Sequence, residues 1–401
     1  MLNKYNFTKV SCYLGFFVQA IVVNLVPLLF VCIQDEFNID LAKLTLIITI
    51  TFFVQLVIDA LSTRLIEKLG YRLIAILAHI CSCVGLLLLG FLPFIMNNHY
   101  LGIVISIMIA SLGSGFIEVI ISPIVEAIPG KRSNMGLNFL HSSYCWGVAV
   151  VVLLTTLYVK FLGSYWRYLP MVCAIFPFVN IIAFIFVPIE ELKAENEESK
   201  MSLLDLLKNK VFLACLLMIV CAGATELAIA QWASYFAERG LDVSKTMGDL
   251  LGPLAFAILM GTARILSGVF ADKIGQEKII IFSAIGCLIS YVIIIVSPAV
   301  ISLIGCALCG FFVGATWPGI LNIAAKKFKN GESKVFSIMA LGGDAGCMLG
   351  PTIVGAISNC ISSSSGDGLR MGILAAIVFP VLLLALILFV VKYSKKENLS
   401  K

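Results

Sequence analysis

The stretch GVFADKIGQEK, residues Gly268–Lys278, breaks a long apolar run with a glycine, an acid, a base and a second glycine. The glycines permit close helix approach and a tight turn, and an aspartate between them can cap or pair at a helix terminus. The pattern occurs twice. Arg264, Gly268, Asp272, Lys273 and Gly275 follow one another at steps of four, four, one and two, and Asp59, Thr63, Glu67, Lys68 and Gly70 repeat those steps 205 residues earlier. A repeat at half the length of a 401-residue chain implies duplication. Parallel repeats with a central site between them are an arrangement of secondary transporters.

Composition agrees with that reading. The chain is 60% hydrophobic and only 13% charged, with a mean hydropathy of +1.05, whereas a soluble domain carries about a quarter charged residues. A helix crossing the hydrocarbon core needs about 20 predominantly apolar residues. Twelve such runs are present, near 10–33, 42–63, 73–95, 100–125, 135–159, 167–188, 211–237, 247–270, 278–297, 299–324, 333–358 and 369–393. The longest polar stretch, IEELKAENEESKMSLLDLLKNK from Ile189 to Lys210, falls after the sixth run. The expected fold is therefore an all-α membrane protein, twelve transmembrane helices in two pseudo-symmetric six-helix bundles. Its parts are an N-terminal bundle (1–188), a cytoplasmic linker (189–210) and a C-terminal bundle (211–401). Within the linker, Met201 to Leu207 suits a short amphipathic helix on the membrane surface.

With the amino terminus inside, the cytoplasmic segments hold 21 Lys and Arg and the outer segments 6, with Arg264 left within a span. Positive charge accumulates on the cytoplasmic side of a membrane protein, so both termini are expected there, in the cell membrane. No basic patch calls for nucleic acid. The thirteen cysteines show no paired metal spacing and read as small buried hydrophobes. The first apolar run lacks a clear small-residue cleavage site and is expected to stay as helix one rather than be cleaved as a signal peptide.

Polar residues inside the spans nominate the site, because an intramembrane ionisable group is expensive. In SLGSGFIEVIISPIVEAIPG (111–130), Glu118 and Ser122 share a helix face, and Glu118 can bind and release a proton if it faces a cavity. A structural hydrogen bond to a neighbouring helix is its other reading. Asn138, His141 and Cys145 form a polar stripe in the fifth span, suited to a hydroxylated solute, a proton relay or interhelical hydrogen bonding. The seventh span brings Glu226, Gln231, Trp232 and Tyr235, a mix of amide, acid and aromatic groups that suits a carbohydrate, although Trp232 and Tyr235 equally suit interfacial anchors. Asp344 lies among glycines in ALGGDAGCMLGP (340–351), where the helix is thin and bendable. Arg264 needs a carboxylate partner, with Glu118, Asp344, Asp59 and Glu226 all open to it. His79 reads as a packed, hydrogen-bonded histidine. Gln19, Asn24, Gln55, Trp317 and Asn322 are weaker cavity candidates.

These motifs carry a resemblance. GVFADKIGQEK is similar to the cytoplasmic loop signature of the major facilitator superfamily, from which the first copy departs at Thr63 and Glu67. LGSGFIEVIISP, GLNFLHSSYCWG, GATELAIAQW, Arg264, GATWPGILNIAAKKF and ALGGDAGCMLGP together resemble the fucose/galactose/glucose:proton symporter family within it. The resemblance implies proton coupling at Glu118, five residues before Pro123, and matches Asn138 and His141 to the family's helix five and Glu226, ahead of Trp232, to a version of its helix seven. Fucose-transporting members carry an acid in helix one. The corresponding stretch here, QAIVVNLVPLLF (19–30), has none.

The expected function is proton-coupled uptake of a hexose-like sugar by alternating access. Proton coupling is assigned to Glu118, Glu226 and Asp344. Solute binding is assigned to Asn24, Glu118, Asn138, His141, Glu226, Gln231, Trp232, Trp317 and Asn322, and gating to Asp59, Arg264, Gly268, Asp272 and Lys273. No covalent chemistry, nucleotide motif, metal or cofactor is expected, and the partners are the sugar, protons and the lipid bilayer around a monomer. Proton-driven export of drugs or other small organic solutes is the rival transport reading. A membrane sensor or assembly factor that binds without transport is a further one, disfavoured by the short loops and the lack of a soluble signalling domain.

Overall fold

The computed structural model of the chain describes residues 5–128, 134–190, 203–328, 332–361 and 366–399. Among these, twelve helices are long and apolar enough to cross a membrane. They are α1 (Asn6–Leu28), α2 (Leu41–Ser62), α3 (Arg64–Ile95), α4 (His99–Glu126), α5 (Ser142–Leu162), α6 (Tyr168–Phe186), α7 (Lys210–Gly240), α8 (Lys245–Ala271), α9 (Gln276–Val296), α10 (Ala299–Lys327), α11 (Val335–Ile361) and α12 (Asp367–Tyr393). The chain is a multi-pass membrane protein. Because the number of spans is even, both termini leave at one end of the bundle, called here the terminal end, opposite the far end.

Each apolar run becomes a helix because a backbone in hydrocarbon must satisfy its own N–H and C=O groups. The breaks follow local chemistry. Pro27 precedes a break at Leu29, after which a short helix, Phe30–Phe37, runs on to Asn38 in the left-handed region (φ 51°). Asp40 then caps α2 by accepting from the Lys43 N–H at 2.8 Å. Ser297 and Pro298 alone separate α9 from α10, both extended. Arg370 of α12 ties that turn down by donating to the carbonyl of Ser297 at 2.8 Å.

The duplicated motif is visible as duplicated geometry. The helix that begins at Leu41 runs through the first copy and is non-helical only at Gly70 (φ 75°), so α3 starts nine residues earlier than the hydropathy pattern suggests. The second copy breaks at Gly275 (φ 93°), the equivalent position. A Cβ at either place would meet no atom within 4 Å, so the positive φ, rather than crowding, is what calls for glycine.

The six helices α1–α6 pack on one another, with α1 against α4, α5 and α6 and α3 against α4. In the second half α7 packs against α10, α11 and α12, and α9 against α10. The α7–α11 contact is made through backbone: a Cβ at Gly346 would lie 2.1 Å from the Val220 carbonyl oxygen, and one at Gly350 2.3 Å from that of Ala224. Close small-residue contacts of this kind replace the hydrophobic driving force that lipid removes. The short helix expected near residue 201 is present as Leu203–Lys208, and Asn209 caps α7 behind it by accepting from Val211 and Phe212. The cysteines form no disulfide. Eight of them are buried, as small apolar side chains are.

Candidate functional site

The halves meet along three seams, α1 with α7, α2 with α11 and α5 with α8. At the far end these seams are bonded shut. The Tyr235 hydroxyl donates to Gln34 at 2.9 Å, Arg239 pairs with Asp35, and Phe30 packs on Trp232 with ring centroids 5.7 Å apart. Behind this rim, Lys245 and Asp249 form a buried ion pair (3.2 Å) at four-residue spacing on α8. Lys245 also donates to the Leu28 carbonyl, and Asp249 accepts from Ser234 (2.6 Å) and from Thr156 on α5 (2.8 Å). Toward the middle, the Thr49 and Thr352 hydroxyls share a hydrogen bond of 2.7 Å across the α2–α11 seam, and Ser142 donates to the Gly261 carbonyl across α5–α8.

A ring of polar side chains lies between these seams and the terminal end. Glu118 on α4 accepts from the Gln19 side-chain amide on α1 at 2.9 Å. Asn24 on α1 donates to the Tyr144 hydroxyl on α5 at 3.3 Å. Of the four carboxylates open to it, Arg264 takes Glu226, with 3.6 Å between Nη2 and Oε2 and both side chains about nine-tenths buried. Trp317 on α10 packs the outer edge of its indole against α11 at Gly343, where a Cβ would collide with the ring, so only glycine there leaves room for it next to Asp344 in the chain. Glu118, Glu226, Asp344 and Arg264 are all electrostatic neighbours of the Cys347 thiol, one turn beyond Asp344.

Asp59, which the sequence pattern assigns to a gate, joins this ring. One oxygen each from Asp59 (α2), Glu118 (α4) and Asp344 (α11) lie within 4.8 Å of one another. Two acids therefore come from the first half and one from the second, at a seam that is packed closed. Two unit charges 4.8 Å apart repel by roughly 3–4 kcal/mol at an effective dielectric of about 20. Three such pairs rival the whole net stability of a typical domain, about 5–15 kcal/mol. Asp59 and Asp344 are hydrogen-bonded to each other across the α2–α11 seam, which two carboxyl groups can do only by sharing a proton, and that proton relieves the repulsion.

The other expected residues fall in different places. Gln231 and Trp232 are buried at the far end; the Trp232 N–H donates to the Pro351 carbonyl at 2.9 Å and its ring is 1% exposed, so in this conformation it closes the seam and presents no face to a solute. Asn322 is exposed on α10, and Gly268 and Lys273 are exposed beyond the ring. The side chains of Asn138, His141 and Asp272 lie outside the described residues. His79 is fully buried, its Nδ1 bonded to the Ala75 carbonyl and its Nε2 accepting from Asn180, as expected of a packed histidine.

Sequence reasoning overlooked Tyr144, Thr156, Ser234, Lys245 and Asp249. A signal existed for the last: Asp249 lies inside the eighth apolar run, four residues after a lysine that was counted only as an outer-loop charge.

The Major Facilitator Superfamily profile matches residues 12–351 and 251–401, most of the chain. The chain belongs to the Major Facilitator Superfamily. Among solved structures of this superfamily it is similar to the transporter FucP in its outward conformation, at 14% identity and a TM-score of 0.66, over 96% of this chain and 99% of that one. It is similar to the E. coli fucose:proton symporter FucP at 16% identity and a TM-score of 0.67, over 96% and 99%. A D-xylose–proton symporter shares 12% identity at a TM-score of 0.78, over 96% and 97%. At such identities the likeness is one of fold. No curated protein matches the sequence. In this superfamily member, the two six-helix halves and the polar ring between them are the frame on which function must be read.

Proposed function

We propose that the chain is a secondary transporter, not an enzyme, that carries a hexose-like sugar inward with a proton by alternating access. The observation that carries this reading is the ring of Glu118, Asp59, Asp344 and the Glu226–Arg264 pair, set between two halves that described side chains bond together at the far end. A site between two bodies that close in turn is what alternating access requires.

In this reading both termini are cytoplasmic, the far end faces outward, and the structure is the conformation closed to the outside. Glu118 carries the coupling proton, with the Gln19 amide holding its carboxyl group in position. Asn24, Tyr144, Glu226 and Arg264 supply donors and acceptors for sugar hydroxyls, and the half-buried Trp317 supplies an apolar ring face. Residues 1–188 and 211–401 move as two bodies about the linker in a single monomer. The fucose and xylose symporters of the same fold support a sugar and a proton as the cargo.

The test is transport in proteoliposomes with an imposed inward proton gradient. Accumulation of a hexose, pentose or deoxyhexose above its outside concentration, with alkalinisation of the medium on adding that sugar, is expected. Failure of every sugar to accumulate overturns the reading.

A further inference from the structure

We propose that the cavity between the start of α9 and the end of α10, at the terminal end of the molecule, binds the phosphate group of a small hydroxylated ester. The cavity measures about 240 Å³, and its polar lining is Gly275, Gln276 and Glu277 on one side and Lys326 and Lys327 on the other. All of these residues belong to the second half, so the site stands apart from the ring between the halves and does not depend on what the protein transports.

The first support is the helix start. α9 runs 21 residues from Gln276 and begins without a side-chain cap, because its N-cap is Gly275. The N–H groups of a first helical turn lack partners within the helix and form its positive end, which attracts phosphate. Gly275 has φ 93°, and a Cβ there would meet no atom within 4 Å, so the turn is open on that side. Lys326 and Lys327 border the cavity from the last turn of α10. Two lysines against Glu277 leave the lining positive.

The second support is independent of the helix end. Gln276 is only 8% exposed and lines the cavity, yet its side-chain amide has no hydrogen-bond partner among the described residues. Its Nε2 is seated over Gly319 of α10, where a Cβ would lie 2.3 Å from it. A buried amide without a partner is costly, so donor capacity left open beside a cavity points to a ligand.

Size and the one acid narrow the class. A water molecule's share of liquid volume is about 30 Å³, so the cavity has room for a phosphate group and a short remainder. It is smaller than the pockets of drug-sized ligands, about 300–1,000 Å³. Glu277 repels a second anionic group but accepts from hydroxyls on that remainder. Glycerol phosphate, free or as a lipid headgroup, has this chemistry.

The test follows the melting temperature of the full chain, purified in detergent, at constant ionic strength set by NaCl. Glycerol 3-phosphate and inorganic phosphate are the soluble probes, and phosphatidylglycerol and phosphatidylcholine in mixed micelles are the lipid probes. A saturable rise with glycerol 3-phosphate identifies a soluble ester; a rise with phosphatidylglycerol alone identifies a headgroup. Q276L, which removes the buried donor, and G319A, whose Cβ displaces it, should each raise the half-saturating concentration about tenfold, the usual loss for a hydrogen bond to a charged group. If one of them does not melt cooperatively, the other decides. E277Q should lower that concentration, since a repelling charge is lost. No saturable rise with any probe, an equal rise with phosphatidylcholine, binding that Q276L and G319A leave unchanged, or weaker binding by E277Q each overturns the proposal. Sugar accumulation by a protein with no such response removes the phosphate site and leaves the transport reading standing.

Discussion

Thr156 on α5 donates to Asp249 on α8 across 2.8 Å, and through that bond a carboxylate buried in one half of the molecule holds the other. Asp249 is fully buried and is also bonded to Ser234 and Lys245, while Lys245 reaches the end of α1. The far-end closure therefore depends on a few strong contacts that sit on both sides of the seam.

Removing one of them should open that end. Thr156→Val loses a hydrogen bond worth about 1 kcal/mol, enough to change the closed-to-open ratio roughly fivefold. Asp249→Asn should act more strongly, because Lys245, with 15% side-chain exposure, then lacks its counter-charge. The native Cys32 thiol, half-buried beside this network, reports the change. Burial raises its pKa and so suppresses its reactivity. Site-resolved maleimide labelling of Cys32 should speed up in both variants; unchanged labelling would mean that the network only packs the helices.

Proton coupling is expected to depend on Glu118. Glu118→Gln keeps the shape of the side chain and can still pair with the Gln19 amide, but cannot release a proton. Uphill sugar accumulation should be lost while exchange between equal pools persists. Unimpaired uphill uptake would refute the assignment.

The Glu226–Arg264 pair yields a prediction that separates charge balance from solute binding. Removing either partner alone leaves a buried charge and should cost about 3–5 kcal/mol of stability. The double variant Glu226→Gln with Arg264→Met should recover most of that loss in thermal unfolding, since both charges go together, yet should not recover sugar binding. Recovery of both would assign the pair a structural role only.

Gly346 tests the close contact between α7 and α11. A Cβ there would lie 2.1 Å from the Val220 carbonyl oxygen, so Gly346→Ala must push the helices apart. A loss of about 1–3 kcal/mol is expected. Because Asp344 and Trp317 stand one turn away or less, solute affinity should fall with it. A variant with unchanged melting temperature and affinity would show that the helices yield freely.

Much of the architecture was legible in the chain itself. Hydropathy places twelve spans within a few residues, because each helix is decided locally by whether about 20 consecutive residues favour hydrocarbon over water. The duplicated glycines anticipated the breaks at Gly70 and Gly275, since a positive φ is a property of one residue. Where the helix ran on, at Arg64 to Leu69, hydropathy failed because a helix does not need apolar residues outside the membrane core.

The pairing of polar groups was decided only by tertiary structure. Asp59, Glu118 and Asp344 stand on three helices and at steps of 59 and 226 residues in the sequence, and no periodicity links them. Arg264 had four candidate carboxylates on four helices; the packing of α8 on its neighbours selected Glu226. Trp232 had the composition of a sugar-binding residue, yet the seam between α1 and α7 buries it. The reason is common to all three. Free energy of transfer belongs to a segment and can be read from it, whereas the partner of a buried polar group depends on the rotation and register of helices far apart in the chain, which close packing alone determines.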